Sequence, residues 1–380
     1  MSPAFLQQFI NKENGTVVLN KQQQFKLVCD DNIELINVYK EVGVPPRITR
    51  HIPEHNYYIV SISDSSLLKK IIALPSVSFI DVFTIPREEL EVGNYDPTLN
   101  YINVLQQKFP QANGNGLTAS VKENLFDTLD IDFKGRYLAS GIASNTPSSH
   151  ATIMASLLAG GGNTSSGSLG VAPGVQLTSA TYDNLLPEPP TYFQQFNIST
   201  QNHSYGTTVE NFYGAEARAY DQQLNSRTTL AHIFSAGNSG NVTPGTGVYA
   251  GLPGTANLTG NFKMAKNIIS VGATDSFARI PTAISKGPAY DGRLKPEITA
   301  FAEDGSSGAA AIVSGAVIAL QHLYRQLYGV LPETALLRAI LFNSATDVGA
   351  PGIDFASGYG SLNALRAAEN INNGRFFSGA

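Results

Sequence analysis

The 380-residue chain is long enough for a large hydrophobic core or two domains, and its 42% hydrophobic and 14% charged residues are typical of a compact globular protein. Its net charge of −5, without a basic block, argues against a nucleic-acid partner, and its single cysteine, Cys29, excludes an intrachain disulfide and a cysteine-rich metal site. Because the chain shows neither a signal-peptide pattern at its start nor 18 uninterrupted apolar residues, we expect no membrane span.

The first part of the chain, residues 24–82, predicts a small α+β unit. Its apolar patterns predict strand, strand, helix and strand at 25–29, 56–62, 65–74 and 77–83. Ser65 is the expected N-cap of the helix, and the unit carries no cluster of reactive side chains. The following connection holds a short predicted helix near 101–108. We therefore divide the chain into a small α+β domain, a linker and a larger domain, at 1–88, 89–115 and 116–380.

The second part alternates predicted strands with predicted helices. The strands are expected at 117–122, 175–180, 197–202, 230–236 and 267–273. The helices are expected at 151–159, 210–224, 307–328 and 332–343. This alternation is typical of an α/β fold with a doubly wound parallel sheet and helices on both faces. Functional side chains in such a sheet gather beyond the carboxyl ends of the strands.

The predicted helix that begins near Ser307 has an unusual composition. The stretch DGSSGAAAIVSGAVIAL, residues 304–320, passes from a glycine-serine loop into small apolar residues without a charged face. A surface helix would carry charges on one side. We therefore predict a buried helix with a serine at its entrance.

Polar side chains stand where the predicted sheet would expose a site. Glu123 follows the first strand, the segment HSYG at 203–206 follows the third, and GNSG at 237–240 follows the fourth. His150 lies at the start of one helix and Ser307 opens another. An acid, a histidine and a serine thus occur in that order along the chain.

These segments resemble the subtilisin-type serine proteases. The family pattern G-T-S-M-A-x-P-x-V-x-G around the nucleophile is matched by GSSGAAAIVSG at 305–315. The histidine pattern H-G-T-x-x-A is matched by HATIMA at 150–155, and the oxyanion segment A-G-N by SAGNSG at 235–240. GVAPG at 170–174 and GPAYDGRLKPE at 287–297 are also similar to family segments. The similarity spans about 250 residues in the family order.

The resemblance implies a serine endopeptidase that works through an acyl-enzyme. Ser307 would be the nucleophile, with Ser306 as the neighbouring alternative, and His150 the general base and acid. Asn238 would donate its side-chain amide to the oxyanion. The remaining histidines are expected to be structural, although His203 lies near the expected site wall; they are His51, His55, His203, His232 and His322.

The third triad position departs from the family. The family carries Asp-x-Gly after this strand, and this chain places Glu123 there. A glutamate can hold the imidazole in the same way, but its extra methylene requires the backbone to sit further back. The alternatives are Asp127, Asp130 and Asp132. Ala151 also replaces the family glycine after the histidine.

The resemblance further assigns the walls of the substrate cleft. Ser204, Tyr205 and Gly206 would form one wall of the S1 pocket, and Ser235, Ala236 and Gly237 the other. Their backbone edges are expected to pair with an extended peptide. The Tyr205 ring either narrows the pocket or belongs to the core.

The N-terminal part resembles the inhibitory propeptide of the same family, with PSVSFIDVF at 75–83 typical of where such propeptides end. The expected partners are a peptide or protein substrate and this domain as an intramolecular inhibitor, without nucleic acid or membrane. No cofactor is required. DTLDID at 127–132 could bind a structural calcium ion, as in some relatives, but it lacks the spacing of a calcium loop, so a solvated turn is favoured. The family's habit suggests a secreted or periplasmic protein.

Two rival functions remain open. The changes at Glu123 and Ala151 are also compatible with a pseudo-protease that acts as a binding module. A sedolisin-like acid peptidase would use Glu123 directly and have its maximum activity at low pH, whereas the HAT motif at His150 argues against it.

Overall fold

The computed structural model describes residues 1–10, 16–41, 43, 47–88, 96–302 and 304–377. The N-terminal unit contains an antiparallel sheet in the order β2-β3-β1-β4. Its strands are β1 (Gln23–Cys29), β2 (Ile48–Ile52), β3 (Tyr57–Ile62) and β4 (Val77–Val82), and its helices are α1 (Pro3–Phe9), α2 (Asn32–Glu41) and α3 (Ser65–Ile72). The three helices bury Phe5, Leu35 and Leu67 in one core with the β1 side chains Phe25 and Leu27.

The N-cap of α3 differs from the prediction. Asp64 is the cap, since its Oδ1 accepts hydrogen bonds from the backbone N–H groups of Ser66 and Leu67, at 2.9 and 3.0 Å. The Ser65 hydroxyl instead accepts a hydrogen bond from the backbone N–H of Leu19, at 2.7 Å. The carboxylate of Asp64, one residue earlier, therefore caps the helix, and Ser65 bonds the helix to the segment before β1 that contains Leu19.

The larger unit is built on a six-stranded parallel sheet in the order β12-β11-β10-β8-β6-β7. These strands are β6 (Thr118–Lys122), β7 (Gln176–Ala180), β8 (Ile198–His203), β10 (Ala231–Ser235), β11 (Ile269–Thr274) and β12 (Ile298–Phe301). The predicted α/β class is confirmed, and the five predicted strands are present. The edge strand β12 was not predicted.

Helices cover both faces of this sheet. They are α4 (Ile102–Lys108), α5 (Ser149–Ala159), α6 (Pro190–Gln195), α7 (Ala215–Ser226), α8 (Gly305–Tyr328), α9 (Thr334–Ser344) and α10 (Ala364–Asn372). Alternation along β10 shows the two faces: Ile233 joins the cluster that contains α8, whereas Phe234 joins Phe193 of α6 and Tyr220 of α7. The helices α6 and α10 were not predicted.

The predicted buried helix is present as α8. It lies across β8, β10, β11 and β12 and packs against α5. A Cβ added to Gly315 would come within 2.6 Å of Val171 Cβ, so glycine permits the close approach of these elements. By length and composition α8 is sufficient to cross a membrane, but its apolar residues are buried inside the protein.

The segment interpreted as a linker, where it is described, contributes to the larger core. Ile102 and Leu105 of α4 are buried in the cluster that contains α8 and α10. The Asn100 side chain exchanges two hydrogen bonds of 2.9 Å with the backbone of Phe301 in β12. Residues 96–115 therefore pack with the larger unit, and residues 89–95 lie outside the described part of the chain.

A two-residue strand from the N-terminal side reaches the larger unit. This strand, β5 (Arg87–Glu88), pairs antiparallel with β9 (Tyr205–Gly206), and Arg87 stands opposite Gly206 while Glu88 stands opposite Tyr205. Because β9 follows β8 at its carboxyl end, β5 lies on the edge of the sheet where the site residues were expected.

Candidate active site

Ser307 lies in the first turn of α8, and its side chain is buried. Its Oγ has no hydrogen-bond partner among the described residues. Its backbone carbonyl accepts a hydrogen bond of 2.9 Å from the Ser204 hydroxyl, which ties the helix entrance to the end of β8. The Ser307 hydroxyl is thus available for chemistry at a helix N-terminus, where partial positive charge favours an anion.

Asn238 lies beside the same turn. Its Oδ1 accepts hydrogen bonds from the backbone N–H and the hydroxyl of Ser306, at 3.1 and 3.0 Å. Its Nδ2 is buried without a hydrogen-bond partner among the described residues. The amide is therefore held by its oxygen, while its two N–H donors remain open, as an oxyanion site requires.

The geometry favours Ser307 over Ser306 as the nucleophile. The Ser306 hydroxyl accepts a hydrogen bond of 3.0 Å from the backbone N–H of Gly237 while it donates to Asn238. Its hydrogen-bonding capacity is largely used in holding the loop after β10 against α8. The Ser307 hydroxyl makes no hydrogen bond of this kind among the described residues.

Gly305 permits this arrangement. Its φ is +59°, a left-handed conformation that side-chain-bearing residues adopt at a cost of about 1–2 kcal/mol. A Cβ at this position would lie 2.8 Å from Asn238 Oδ1. The glycine of the motif is thus required both for the turn into α8 and for the contact with Asn238.

His150 and Glu123 meet as the sequence predicted. His150 Nδ1 lies 3.2 Å from Glu123 Oε2, and both side chains are buried. Ser148 caps α5 by accepting a hydrogen bond from the Ala151 N–H, and the Glu123 N–H extends the β6–β7 ladder by donating to Ala180 O at 2.9 Å. The glutamate therefore starts from the last rung of the sheet and reaches the ring across the first turn of α5.

The three alternative aspartates are engaged elsewhere. Asp127 Oδ1 accepts from the Leu129 N–H at 3.0 Å, and Asp130 Oδ1 accepts from the Asp132 N–H at 2.9 Å. Asp132 accepts from the backbone N–H groups of Asn163 and Thr164. The segment 127–132 is thus a turn whose carboxylates hold backbone amides. Within the described ranges, no group of three or more His, Cys, Asp or Glu side chains is arranged to hold a metal ion.

Sequence reasoning missed Asp304. Its Oδ2 lies 3.1 Å from His150 Nε2, on the opposite side of the ring from Glu123, and its side chain is buried. Burial alone would lower the pKa of His150, but the charges and contacts of Glu123 and Asp304 outweigh it and raise the pKa to about 11. In this state the ring is an imidazolium between two carboxylates. No signal in the sequence connects Asp304 to the histidine, although it directly precedes the matched serine motif.

The first predicted wall of the S1 pocket is divided between core and cleft. The Tyr205 ring is buried among Tyr182, Phe234 and Phe262, so it belongs to the core and does not narrow a pocket. The Ser204 hydroxyl holds the Ser307 carbonyl. The backbone of Tyr205 and Gly206 is available to an extended strand, since β5 pairs with it.

The second predicted wall lacks the expected open edge. The Ala236 N–H donates to Val271 O at 2.8 Å, and its carbonyl accepts from the Thr259 N–H at 3.2 Å. The Gly237 carbonyl accepts from the Ser285 N–H at 2.8 Å, and Ser235 is buried at the end of β10. The expectation of a free backbone edge at 235–237 is therefore wrong for these groups, because neighbouring segments already pair with them.

His203 belongs to the core rather than to the site wall. Its ring stacks on Phe234 with centroids 3.9 Å apart, and its Nε2 lies 2.9 Å from His232 Nδ1. His232 Nε2 in turn lies 2.8 Å from Gln223 Oε1. Burial lowers the pKa of both histidines well below the usual range, so the pair is neutral.

A comparison with known proteins identifies the family to which the chain is similar. The subtilase family of S8 peptidases matches residues 114–360. No curated protein sequence matches the chain. Among solved structures, fervidolysin from Fervidobacterium pennivorans, described as a keratinolytic enzyme related to subtilisin, is 17% identical with a TM-score of 0.64. That match covers 95% of this chain and 62% of fervidolysin, so the chain spans less than two thirds of that protein.

Two further structures are similar at the level of the fold. The epidermin leader peptide processing serine protease from Staphylococcus aureus is 12% identical with a TM-score of 0.63, and the match covers 95% of this chain and 100% of that one. The prenylagaramide maturation protease PagA is 19% identical with a TM-score of 0.54, covering 70% of this chain and 98% of that one. From the family match over residues 114–360, together with this fold, we conclude that the chain belongs to the subtilase family of serine peptidases.

Proposed function

We propose that the chain is a serine endopeptidase that hydrolyses peptide bonds through an acyl-enzyme on Ser307. The observation that carries the proposal is the buried Ser307 hydroxyl, which has no hydrogen-bond partner among the described residues and lies in the turn that Asn238 contacts through Ser306. A serine hydroxyl is a weak nucleophile without a base. His150, paired with Glu123, is the base that the site offers.

The proposed reaction follows from these groups. Ser307 Oγ attacks the peptide carbonyl while its proton passes to Nε2 of His150, and the Asn238 Nδ2–H donates to the oxyanion. His150 then gives the proton to the leaving amine. A water molecule then attacks the acyl carbonyl while it loses a proton to His150, and His150 returns that proton to Ser307 Oγ as the acyl C–O bond breaks and the carboxylic acid leaves.

Glu123 takes the role of the usual aspartate in this proposal. It accepts the Nδ1–H of His150, which fixes the tautomer and stabilises the imidazolium. The longer side chain suits its position, because its backbone is held at the end of the β6–β7 ladder. In this proposal the carboxylate keeps its place beside Nδ1 with a longer side chain.

We further propose that the N-terminal unit inhibits this site from within the chain. The direction of β5 supports this, since Arg87 lies opposite Gly206, Glu88 opposite Tyr205, and the next residue of that wall, Ser204, contacts Ser307. From Arg87 to Glu88, β5 therefore runs along β9 toward Ser204, the residue that contacts the proposed nucleophile. A peptide strand added to the same edge is how we expect substrate to bind.

The face of the N-terminal sheet supports the same proposal. Tyr57 and Ile59 of β3 are buried with Leu186 and Ala219 of the larger unit. The Tyr57 hydroxyl donates a hydrogen bond of 3.2 Å to Glu216 Oε1 in α7. Maturation would require cleavage between about residues 84 and 101, an interval that includes residues 89–95 outside the described part. Mass spectrometry of incubated protein should find the N-terminal fragment.

The deciding experiment is labelling with a fluorophosphonate probe. Wild type and Ser306→Ala should be labelled, whereas Ser307→Ala should not, because the proposal assigns the nucleophile to Ser307 and the Ser306 hydroxyl is already bonded to Gly237 and Asn238. Labelling that survives in Ser307→Ala and disappears in Ser306→Ala would overturn the assignment. Casein cleavage with the same three proteins then tests for peptide-bond hydrolysis.

One observation favours a second candidate, a catalytically silent binding module. His150 Nε2 lies 3.1 Å from Asp304 Oδ2, so the ring nitrogen that a general base would use is in contact with a carboxylate. A protein fixed in that state would bind peptides on β9 without cleaving them. Absence of labelling at every pH from 5 to 10, together with retained peptide binding, would favour this function.

A further inference from the structure

Asp304 lies beside the ring nitrogen through which His150 would act as a general base. In a serine peptidase the Nε2 atom of the histidine faces the nucleophile, and here Nε2 lies 3.1 Å from Asp304 Oδ2. Asp304 lies three residues before Ser307, at the turn where Gly305 leads the chain into α8. The carboxylate that contacts His150 and the proposed nucleophile thus belong to the same turn.

The two contacts together favour a proton on each ring nitrogen. A carboxylate is only an acceptor, so Nδ1 carries a proton toward Glu123, and the negative charge of Asp304 Oδ2 at 3.1 Å from Nε2 stabilises a proton on that nitrogen. The ring is therefore cationic, and an imidazolium has no lone pair with which to accept the proton of Ser307. The contact with Asp304 and the action of a general base exclude each other.

Among the described residues, two charged groups face the ring. They are Glu123 from the end of β6 and Asp304 from the turn before α8. The ring's own helix, α5, carries no other titratable side chain, and Asp132 in the neighbouring turn is bonded to Asn163 and Thr164. Removing the charge of Asp304 therefore halves the negative charge that holds the imidazolium.

Resting on the proposed function, we propose that Asp304 is a positioning residue that competes with Ser307 for Nε2 of His150 and keeps the base protonated at rest. The Nε2 proton is lost to water or hydroxide as the pH rises. Two acceptors then face each other, the contact breaks, and Nε2 becomes free to take the proton of Ser307. Asp304 thereby sets the pH at which the site becomes active.

The test compares wild type with Asp304→Asn in the full chain, with Asp127→Asn as a matched control. Asp127 lies in the loop after Glu123, is exposed, and contacts a backbone amide rather than the ring. Two quantities are measured against pH: the NMR titration of His150, assigned with His150→Ala, and the rate of fluorophosphonate labelling. Asp304→Ser also removes the charge and guards against misfolding specific to the amide.

We expect Asp304→Asn to move the His150 titration and the acidic limb of the labelling profile at least one unit toward lower pH. This corresponds to about tenfold faster labelling at pH 7, since the base form rises tenfold per unit. Asp127→Asn should leave both unchanged. An unshifted His150 titration in both Asp304 variants would overturn the proposal, as would slower labelling at every pH without a shift. A shifted titration in proteins that never react would support the Asp304 contact and reject the proposed peptidase.

Discussion

Lys26 Nζ lies 2.9 Å from Glu216 Oε1, and both side chains are fully buried. The pair joins β1 of the N-terminal unit to α7 of the larger unit. Burial alone would lower the pKa of Lys26, but the charges of Glu210, Glu216 and Asp81 outweigh it and raise it. The ammonium is thus charged at the centre of the contact between the two units.

Substituting Lys26→Met should loosen the N-terminal unit from the larger one. Breaking a buried ion pair from one side typically costs about 3–5 kcal/mol, because the remaining charge is left buried. Labelling of Ser307 should accelerate as β5 leaves the cleft. The matched control is Lys70→Met in the same unit, whose ion pair with Glu41 is exposed. If both variants label at the wild-type rate, the N-terminal unit does not restrict the site.

Substituting Gly305→Ala should disturb the site more than the fold. The new Cβ would come 2.8 Å from Asn238 Oδ1 and would take a φ of +59°. We expect a cost of about 1–2 kcal/mol in unfolding free energy together with a loss of labelling. Gly329→Ala, at the other end of α8, has a φ of +78° and open space around its Cβ, so it should lose comparable stability and keep its labelling. Equal labelling in the two variants would contradict the role of Gly305.

Substitutions of Glu123 test how the length of the acidic side chain beside His150 affects activity. Glu123→Ala should reduce labelling on the order of 10⁴-fold, because the histidine loses the partner that fixes its tautomer. Glu123→Asp should also be impaired, since its carboxylate falls short of Nδ1 by about one carbon–carbon bond, ~1.5 Å. Full activity in Glu123→Asp would show that the backbone can adjust to the family's usual residue.

The raised pKa of His150 predicts how stability depends on pH. The pKa is about 11 in the folded protein against 6.5 for the free side chain, so the folded state binds this proton more tightly than the unfolded state. The resulting stabilisation is complete below about pH 6.5 and declines as the pH rises through 11. His150→Asn lacks it. The difference in unfolding free energy between wild type and His150→Asn should therefore shrink from pH 6 to pH 10, as urea titrations can measure.

Much of the larger unit follows from local patterns in the sequence. The sequence pattern predicted five of the six parallel strands to within one or two residues of their bounds, because they are largely buried and carry a single charged residue, Lys122 at the end of β6. The strand β12 was missed since ITAF spans only four residues. The helix α10 does carry the signal, with Ala364, Ala367, Ala368 and Ile371 buried at helical spacing, and it was overlooked.

The residues of the candidate site could be predicted from sequence motifs, but some of their contacts could not. Ser307, His150, Glu123 and Asn238 come from motifs, and the structure brings His150 to Glu123 and Asn238 to the turn that holds Ser307. Spacing cannot reveal Asp304, because its contact with His150 depends on how the turn before α8 faces α5. The predicted open backbone edge at 235–237 is wrong for a similar reason, because residues distant in sequence, such as Ser285, form hydrogen bonds with these backbone groups.

The burial of α8 couples catalysis to the interior of the protein. The same helix carries the proposed nucleophile, Ser307, in its first turn and much of the hydrophobic core along its length. The helix is continuous from Gly305 to Tyr328, and Gly315 packs against Val171 without room for a methyl group. Heating should therefore abolish activity at the temperature where the whole unit melts, with no inactive but folded stage before it. Mutations that stabilise the core and mutations that change the rate of the reaction would therefore fall in the same helix.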